Sequence, residues 1–326
     1  MKLSGANVLV TGAGGFIGSH LSERLVQLGA SVRALVHYNS NSTAGWLDQS
    51  PVRREIDVVF SNVEDRDGVR RAVRGVDAIF HLAALIGIPY SYDAPAAYVR
   101  TNIDGTLNVL QCARDASASL VVHTSTSEVY GSAMFVPITE NHPLRGQSPY
   151  SATKIGADKL AEAFHLSFGV PVVTVRPFNT YGPRQSERAV IPTIVTQVLA
   201  GRPVRLGSLR PSRDFTYVSD TVEGFVNAAQ HPRPGAVFNL GTGTEITIED
   251  LARSVMTHLG RFVPIEEDPE RVRPAGSEVD RLCCDSSRAR TELGWQPAVT
   301  LDEGLGRTIE WLAARPHATE PGRYVV

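Results

Sequence analysis

Short runs of β-branched and other apolar residues alternate with stretches of helical period through the first half of the chain. Strands buried in a parallel sheet are typically continuous apolar runs, because helices cover both faces of such a sheet. Six runs fit this pattern: Asn7–Thr11, Val32–His37, Ile56–Phe60, Ala78–Ala83, Leu120–Thr124 and Val172–Arg176. Between the first two, Phe16–Leu28 has the apolar period of a helix that ends before Gly29. Strands and helices in alternation predict an α/β fold with a doubly wound parallel sheet.

The alternation loosens after Pro177. We predict further helices and short strands in this half: Ala189–Ala200, Val204–Leu206, Phe215–Val218, Asp220–Gln230, Val237–Leu240, Ile248–Leu259 and Leu301–Ala313. We expect residues 215–240 to return to the main sheet, which makes the second lobe discontinuous. The predicted larger domain is then residues 1–177 with about 214–243, and the smaller α/β lobe is about 178–213 with 244–326.

Composition excludes several classes of protein. The chain has 326 residues, a formal net charge of −2 and a pI near 6.5, so it has no basic field to gather nucleic acid. No apolar run approaches the roughly 20 residues of a membrane span, and Met1-Lys2 leads directly into a strand pattern, so we expect a cytoplasmic protein. Three cysteines cannot form a disulfide framework, and neither they nor the nine histidines show metal-ligand spacing.

Three glycines, Gly12, Gly15 and Gly18, lie between the first predicted strand and helix. Without side chains, this turn lets a pyrophosphate approach the backbone at the helix N-terminus, where Phe16 and Ile17 begin the helix. The pattern predicts a Rossmann-like dinucleotide site, with a merely structural turn as the alternative. The acidic residue expected about 20 positions later, which would hold the adenosine ribose, is replaced by His37. Since the next loop carries neutral donors, both NAD and NADP remain open.

Tyr150 and Lys154 lie four residues apart on a predicted helix and therefore share a face. An ammonium beside a phenol favours the phenolate, which makes the tyrosine usable as a base. Of the 32 basic residues only three are lysines, so a lysine at this position suggests that a compact ammonium is needed there.

Several motifs together resemble the extended short-chain dehydrogenase/reductases that act on nucleotide sugars: Thr11–His20, His81–Ala84, Tyr150-x-x-x-Lys154, Arg176–Arg184 and Arg213–Val218. Narrower motifs resemble 4,6-dehydratases of N-acetylhexosamine nucleotides, such as the legionaminic-acid pathway type: Val36–Ser40 with Gly45–Asp48, Leu85–Tyr90 and Ser277–Leu282. The resemblance spans nearly the whole chain, and it implies a dinucleotide-binding domain, a nucleotide-sugar-binding domain and a homodimer formed through residues 96–116 and 150–168.

The resemblance also implies a reaction. Tyr150, Lys154 and Thr126 match the residues that remove the proton of the sugar 4-hydroxyl during oxidation at C4, and Glu128 matches the base at C5. Water then leaves from C6 and hydride returns there, which gives a 4-keto-6-deoxy sugar and regenerates a tightly bound NAD or NADP. At Ser127 the dTDP-glucose branch carries an aspartic acid, so the proton for the leaving hydroxyl comes either from Glu128 or from a water held by Ser127.

Family positions suggest further binding residues. For the cofactor, besides the turn, Tyr150 and Lys154, these are His37, Asn62, Val63, Leu82, Ala83, Ala84 and Asn102. For the substrate they are Ile86, Asn179, Arg213 and Arg273, with Arg271 competing for the last role. Three alternatives remain: a nucleotide-sugar 4-epimerase, which needs no base at C5; a 5,6-dehydratase that releases an alkene; and a non-catalytic dinucleotide sensor, which would not need Tyr150 and Lys154. The nucleobase and the C2 substituent stay open.

Overall fold

A computed structural model describes residues 1–315, and fourteen strands occur in that part of the chain. The strands are β1 Asn7–Thr11, β2 Ser31–Val36, β3 Ile56–Phe60, β4 Ala78–His81, β5 Leu120–Thr124, β6 Val172–Pro177, β7 Thr180–Tyr181, β8 Val204–Leu206, β9 Ser212–Asp214, β10 Thr216–Tyr217, β11 Val237–Leu240, β12 Glu245–Thr247, β13 Ile265–Glu267 and β14 Arg281–Leu282. The end of the predicted second domain, residues 316–326, lies outside the described residues.

Helices separate these strands. They are α1 Phe16–Gln27, α2 Arg66–Val73, α3 Ile88–Asp93, α4 Pro95–Tyr98, α5 Gly105–Asp115, α6 Pro149–Phe168, α7 Val190–Leu199, α8 Val218–Gln230, α9 Ile248–Leu259, α10 Ser287–Leu293 and α11 Leu301–Ala313. No helix within residues 1–315 has both the length and the apolar character needed to cross a bilayer.

Seven strands form one parallel sheet in the order β11-β6-β5-β4-β1-β2-β3. The direction of winding reverses between β1 and β4, and in such sheets the crevice at the carboxyl ends of the strands at this point binds the ligand. Thr11 of β1 pairs with His81 of β4 at this edge. The glycine turn and the end of β5 therefore open onto the same crevice.

Two apolar cores cover the two faces of the sheet, which confirms the doubly wound α/β prediction. Leu21 of α1 and Phe225 of α8 belong to one core, which continues into the second lobe. Val69 of α2, Val109 of α5 and Phe164 of α6 belong to the other. With both faces dry, the strands need the continuous apolar runs that the sequence contains.

Residues 215–240 return to the main sheet only in part, through β11. β11 pairs with β6 in the main sheet, whereas β10 pairs with β7 in a separate two-stranded sheet. The short Thr216–Tyr217 strand lies beside the segment that leaves β6, so it links the two lobes. Between β10 and β11 runs α8, which packs on α1.

The expected helix over residues 96–116 is divided. α4 is followed by a π-helical segment, Val99–Asp104, and then by α5. The wider turn frees backbone carbonyl groups, and the Thr106 hydroxyl donates to the carbonyl of Asn102 at 2.6 Å. By contrast, α6 is regular: it begins with a capping box between Ser148 and Ser151 and ends at Gly169 in the left-handed conformation.

The second lobe is tied to the glycine turn through the segment after β2. The Trp46 amide donates to the Gly14 carbonyl at 3.0 Å, and an added Cβ on Gly45 would lie 2.4 Å from that same oxygen. The Trp46 ring packs 5.5 Å from that of Trp311 in α11, with the Arg315 guanidinium 4.6 Å from the Trp311 ring. This contact fixes the turn against both lobes.

Candidate active site

The glycine turn forms a cradle at the N-terminus of α1. Gly15 is the N-cap of the helix and has no side chain to cap it, and no acidic residue lies in the first turn. The backbone amides that open the helix, those of Phe16, Ile17 and Gly18, are therefore available to an anion, which the helix dipole also favours.

Two of the three glycines are required by close packing. At Gly12, with φ +70°, an added Cβ would lie 2.8 Å from the amide nitrogen of Ala83. At Gly18 it would lie 2.2 Å from the carbonyl oxygen of Gly12. At Gly15 the nearest atom would be 3.3 Å away, so this glycine leaves room above the turn instead. The cradle fits the pyrophosphate of a dinucleotide.

The turn also packs against the end of β4. The Thr11 hydroxyl accepts from the amides of Leu82 and Ala83, each at 3.1 Å, and lies 2.9 Å from Nδ1 of His81. His81 Nε2 is 3.0 Å from the Thr106 hydroxyl, and burial lowers the pKa of His81 well below its usual value. His81 is thus a neutral structural residue, as its place at the strand end suggests. Ala84 follows, half-buried.

On the adenosine side of the turn, His37 is exposed and Asn62 is half-buried. The Asn62 Oδ1 accepts from the Tyr38 amide at 3.3 Å. Val63 is buried in the core beneath α5, where it packs on Gly105. The Asn62 side chain therefore shapes the loop after β2, and any contact of Val63 with the cofactor would come through its backbone.

Tyr150 is buried in the first turn of α6, in an apolar cluster with Ile88 and Tyr98. Its ring lies 6.3 Å from that of Tyr98, edge to face. Burial raises the pKa of the Tyr150 phenol well above its usual 10, although a hydrogen bond with the Thr126 side chain opposes the shift. Burial therefore opposes the ionisation of the phenol that the sequence predicts from the neighbouring Lys154.

Lys154 is buried one turn further along α6. Its Nζ donates to the carbonyl oxygen of Thr124, at the end of β5, at 2.7 Å. Burial lowers the pKa of Lys154 to about 8, with the Asp158 carboxylate opposing the shift. The lysine thus joins the helix to the strand and still carries most of its charge at neutral pH.

Thr126, Ser127 and Glu128 form the turn that follows β5. The Thr126 hydroxyl caps a short 3₁₀ helix, Ser127–Tyr130, by accepting from the Glu128 amide at 3.2 Å. Ser127 is 2% exposed and Glu128 9%. The Glu128 carboxylate acts electrostatically on both Tyr150 and Arg213, so it lies near both groups.

Arg213 belongs to a cluster of charges in the second lobe. Its Nη2 lies 3.4 Å from Oε1 of Glu278, and Arg273 Nη1 lies 3.7 Å from the same oxygen. Burial lowers the pKa of Arg213 and the nearby Glu128 charge opposes the shift. Two guanidinium groups therefore lie close together beside the Glu278 carboxylate, a grouping that suits a diphosphate.

Asn179 has a buried Oδ1 without a hydrogen-bond partner among residues 1–315. A buried amide oxygen of this kind is costly unless a ligand satisfies it. Ile86, by contrast, is 67% exposed at the rim of the cleft. Asn179 and Ile86 therefore remain candidates for substrate contacts, one deep and one at the entrance.

Asn102 is a buried strut. Its Oδ1 accepts from the Leu85 amide at 2.9 Å, and its Nδ2 donates both to the Leu85 carbonyl and to Thr153 Oγ1 at 3.0 Å. All the hydrogen-bonding groups of this amide are engaged. Asn102 therefore fixes the loop after β4 against α6; a direct contact with the cofactor stays a prediction.

Two of the narrow motifs meet at the entrance of the cleft. The Tyr92 hydroxyl, after the Leu85–Tyr90 loop, lies 2.5 Å from the hydroxyl of Ser277. The Gln147 Nε2, just before α6, donates to the Glu278 carbonyl at 3.0 Å. These contacts span the two lobes, so the loops close the cleft over the turn that carries Glu128.

The model of the GDP-mannose 4,6-dehydratase family matches residues 9–308. The chain belongs to this family. A dTDP-glucose 4,6-dehydratase of Xanthomonas campestris pv. campestris is 31% identical over 94% of the chain and 93% of its own length. A UDP-glucose 4-epimerase of Mycolicibacterium smegmatis is 34% identical over 93% of the chain and 97% of its own length.

A crystal structure of a dTDP-glucose 4,6-dehydratase from Streptomyces venezuelae, with NAD bound, superposes with a TM-score of 0.85 at 33% identity, over 94% of this chain and 97% of that one. The extended short-chain dehydrogenase/reductase prediction is confirmed: this family member is a nucleotide-sugar dehydratase or epimerase with a Rossmann-like domain. Within residues 1–315 no group of three acidic, histidine or cysteine side chains is placed to hold a metal ion.

The sequence reasoning missed two kinds of residue in this family member. Tyr98 packs on Tyr150, and its hydroxyl donates to the Gly87 carbonyl, yet it lies in the 96–116 segment that was predicted only to form a dimer contact. Glu278 lies within a quoted motif but was given no role, although it is the carboxylate shared by the two arginines. Neither has a local pattern that would reveal it.

The crowding at Gly18 predicts a specific loss. Gly18→Ala places a Cβ against the Gly12 carbonyl, so we expect the turn to shift, stability to fall by about 1–3 kcal/mol and dinucleotide affinity to be lost. Gly306→Ala, in α11, is the matched control, because its Cβ would lie 3.9 Å from the nearest atom. This variant should raise the free energy of unfolding by about 0.5–1 kcal/mol. Thermal unfolding and calorimetric titration with NAD measure both; equal behaviour of the two variants would contradict the assignment.

The burial of Lys154 predicts that this residue is needed for activity but lowers the stability of the fold. At pH 7 both the folded and the unfolded parent carry the ammonium, so Lys154→Met should stabilise the fold by about 2–3 kcal/mol while abolishing turnover. Between about pH 8 and 10.5 Lys154 loses its proton in the folded parent and keeps it in the unfolded chain, so the parent becomes more stable as the pH rises. The difference in free energy of unfolding between Lys154→Met and the parent should therefore shrink. Denaturant unfolding across this range tests the sign.

Lys159→Met provides the control on the same helix, since Lys159 is exposed and pairs with Glu162. Its stability should differ from that of the parent by less than about 1 kcal/mol at every pH. A Lys154→Met variant that is destabilised at pH 7 would show that burial of this ammonium is not the dominant cost.

Proposed function

We propose that the protein is a 4,6-dehydratase of UDP- or GDP-N-acetylglucosamine that yields the 4-keto-6-deoxy sugar, a step of deoxysugar formation. The proposal rests on Glu128, a nearly buried carboxylate near Tyr150. Glu128 follows by two residues Thr126, whose side chain is hydrogen-bonded to Tyr150. Oxidation at C4 alone does not need such a carboxylate, whereas removal of the C5 proton does.

The roles of the residues follow from their positions. Bound in the cradle, NAD supplies the hydride acceptor for C4 and the hydride donor for C6. Tyr150 takes the proton of the 4-hydroxyl, with Thr126 as its hydrogen-bond partner. In this role the Lys154 ammonium, one turn along the same face of α6, has to offset the effect of burial on the phenol. Binding in this dry pocket also excludes water from the reacting atoms.

The 4-keto group then acidifies the proton on C5, and Glu128 removes it while the C6 hydroxyl leaves. The hydroxyl departs as water when it receives a proton, and Glu128 is the acid that stands in the cleft to deliver it. Ser127 is more deeply buried than Glu128 and can orient that water. Overall one water is lost and the C4 hydrogen ends at C6 as hydride. The proton that Tyr150 took from the 4-hydroxyl balances the one that returns to C5, so protons and electrons both balance.

Binding of the diphosphate is assigned to the guanidinium groups of Arg213 and Arg273. The unpartnered Oδ1 of Asn179 is an acceptor, so we assign it to a hydroxyl or N–H group of the substrate. The assignment to an N-acetylhexosamine rests on the two narrow motifs that meet through Tyr92 and Ser277 at the cleft entrance, where Ile86 is exposed. These loops are placed to contact the sugar.

We propose NAD rather than NADP as the resident cofactor. Arg33, the basic residue on β2, donates to Asp57 at 2.9 Å and to the carbonyls of Ala72 and Arg74 at 2.8 Å, so it is not available to a 2′-phosphate. The loop after His37 carries neutral side chains. The dinucleotide released by heat from the purified protein should therefore have the mass of NAD; NADP would contradict this assignment.

The assembly and location remain proposals as well. We propose a homodimer formed through the π segment, α5 and α6, since Val99, Leu166 and Phe168 are exposed apolar residues on these elements, 43%, 75% and 54% exposed. We propose that it acts in the cytoplasm, on a nucleotide sugar and without nucleic acid or a membrane as partner. Sedimentation of Leu166→Glu against the parent would test the interface.

A 4-epimerase is the second candidate. Ser127 stands where dTDP-glucose dehydratases carry an acid, and a named epimerase is 34% identical to the chain. Incubation with UDP- and GDP-N-acetylglucosamine followed by mass spectrometry separates the two: a product lighter by one water supports dehydration, and an isomer of unchanged mass supports epimerisation. An alkene in the lighter product, seen by NMR, would indicate 5,6-dehydration.

The role of Glu128 predicts a partial reaction. Glu128→Gln should stop water loss by about 100-fold or more while oxidation at C4 continues, because an amide cannot take the C5 proton. The arrested reaction is visible as absorbance of the reduced cofactor. Glu140→Gln is the control, since this partly buried carboxylate lies beyond the cleft and accepts from the Asn239 amide, which an amide oxygen can also do. Full dehydration by Glu128→Gln would overturn the base assignment.

A further inference from the structure

Asp158 is buried on α6, one turn after Lys154, and is surrounded by donors. Its Oδ2 accepts from Ser125 Oγ at 2.8 Å and from Arg176 Nε and Nη2 at 3.1 and 2.9 Å, and its Oδ1 lies 3.1 Å from His123 Nε2. It is 5% exposed. Nothing in the reaction proposed above uses this carboxylate.

The donors around Asp158 hold the catalytic turn from both sides. Ser125 immediately precedes Thr126 and is bound directly. Arg176 continues the network, because its Nη1 donates to the hydroxyl of Tyr130 at 2.9 Å, and Tyr130 ends the 3₁₀ helix that contains Glu128. The residues before and after the turn are therefore anchored to one carboxylate on α6, the helix that carries Tyr150.

Lys154 is coupled to the same point. The Thr124 carbonyl that accepts from its Nζ lies between His123 and Ser125, both bound to Asp158. The titratable groups that interact electrostatically with Lys154 are Asp158 from α6, His81 from β4 and His123 from β5, and Tyr150 lies one turn earlier on α6. Burial lowers the pKa of both histidines and raises that of Tyr150, so Asp158 is the group that burial leaves as the counter-charge.

We propose that Asp158 is a positioning residue for the reaction: it fixes the Thr126–Glu128 turn against α6 and supplies the counter-charge of the buried Lys154 ammonium. A carboxylate with four donors keeps its charge, and the pKa of Asp158 is lowered because the hydrogen bond from His123 and the charge of Arg176 outweigh the effect of burial. The effect on turnover rests on the proposed function, whereas the effect on Lys154 does not.

The small number of lysines allows a direct test. In protein labelled with ¹³C at the lysine ε-carbon, three signals arise, from Lys2, Lys154 and Lys159, and the Lys154→Met spectrum assigns the second. The parent should show a Lys154 midpoint near 8, and Asp158→Asn should lower it by about one unit or more, because the counter-charge is lost. Ser125→Ala, which removes one donor and leaves the charge, should keep the parental midpoint.

Asp158→Asn also leaves the buried Arg176 guanidinium without its carboxylate partner, and this loss can lower stability by itself. The double variant Asp158→Asn/Arg176→Met removes both buried charges and should recover the lost Tm, since a buried pair is replaceable by groups of similar volume. We expect its Lys154 midpoint to stay low and its kcat to stay about 100-fold below that of the parent, with the turn no longer fixed.

A parental Lys154 midpoint in folded Asp158→Asn would overturn the charge role. A parental kcat in the double variant would overturn the positioning role. The titration needs no substrate, so it tests the coupling of Asp158 to Lys154 independently of the reaction. If the Lys154 midpoint is low in Asp158→Asn but the parent is inactive on both nucleotide sugars, the proposed function is wrong and the coupling still holds.

Discussion

The contact between the carboxyl end of β5 and the first turns of α6 sets the geometry of this site. The strand end delivers Thr126 and Glu128, and the helix delivers Tyr150 and Lys154; the Lys154 ammonium joins them through the Thr124 carbonyl at 2.7 Å. If the helix shifted along the strand, the phenol and the carboxylate would no longer face the same crevice. The glycine turn, the loop after β4 and the second lobe are then arranged around this pair of elements.

Forming that contact costs free energy, because it removes ionisable side chains from water. Burial disfavours both the phenolate of Tyr150 and the ammonium of Lys154, so the charged form of each group is costly in this site. Buried hydrogen bonds offset the cost, with Asp158 and Arg176 beneath the site and the Asn102 amide beside it. Poised groups of this kind are typical of sites where acid–base chemistry takes place near neutral pH.

The fold could be predicted in large part because its signals are local. Apolar runs gave β1, β3 and β5 with their observed bounds, and the strand-turn-helix context of Gly12, Gly15 and Gly18 located the phosphate cradle. Four-residue spacing placed Tyr150 and Lys154 on one face. The π segment at residues 99–104 was not predicted, because it depends on a hydroxyl bond from Thr106 that no hydrophobic period reveals.

The site resisted prediction where distant strands meet. The raised pKa of Tyr150 follows from its burial beside Tyr98 and Ile88, which are far from it in sequence. The sharing of Glu278 by two arginines likewise depends on residues that are distant in sequence. Asp158 stands four residues after Lys154, yet its importance depends on His123 and Arg176 from two neighbouring strands. Local pattern identifies the chemical groups; tertiary neighbours decide their charge.

We propose that a single cleft oxidises C4, removes the C5 proton with Glu128 and reduces C6. Turnover of a nucleotide sugar carrying deuterium at C4, with the position of the label read by NMR, distinguishes this sequence of steps from epimerisation. We expect a product lighter by one water with the deuterium on C6. Deuterium that remains on C4 in a product of unchanged mass would contradict it.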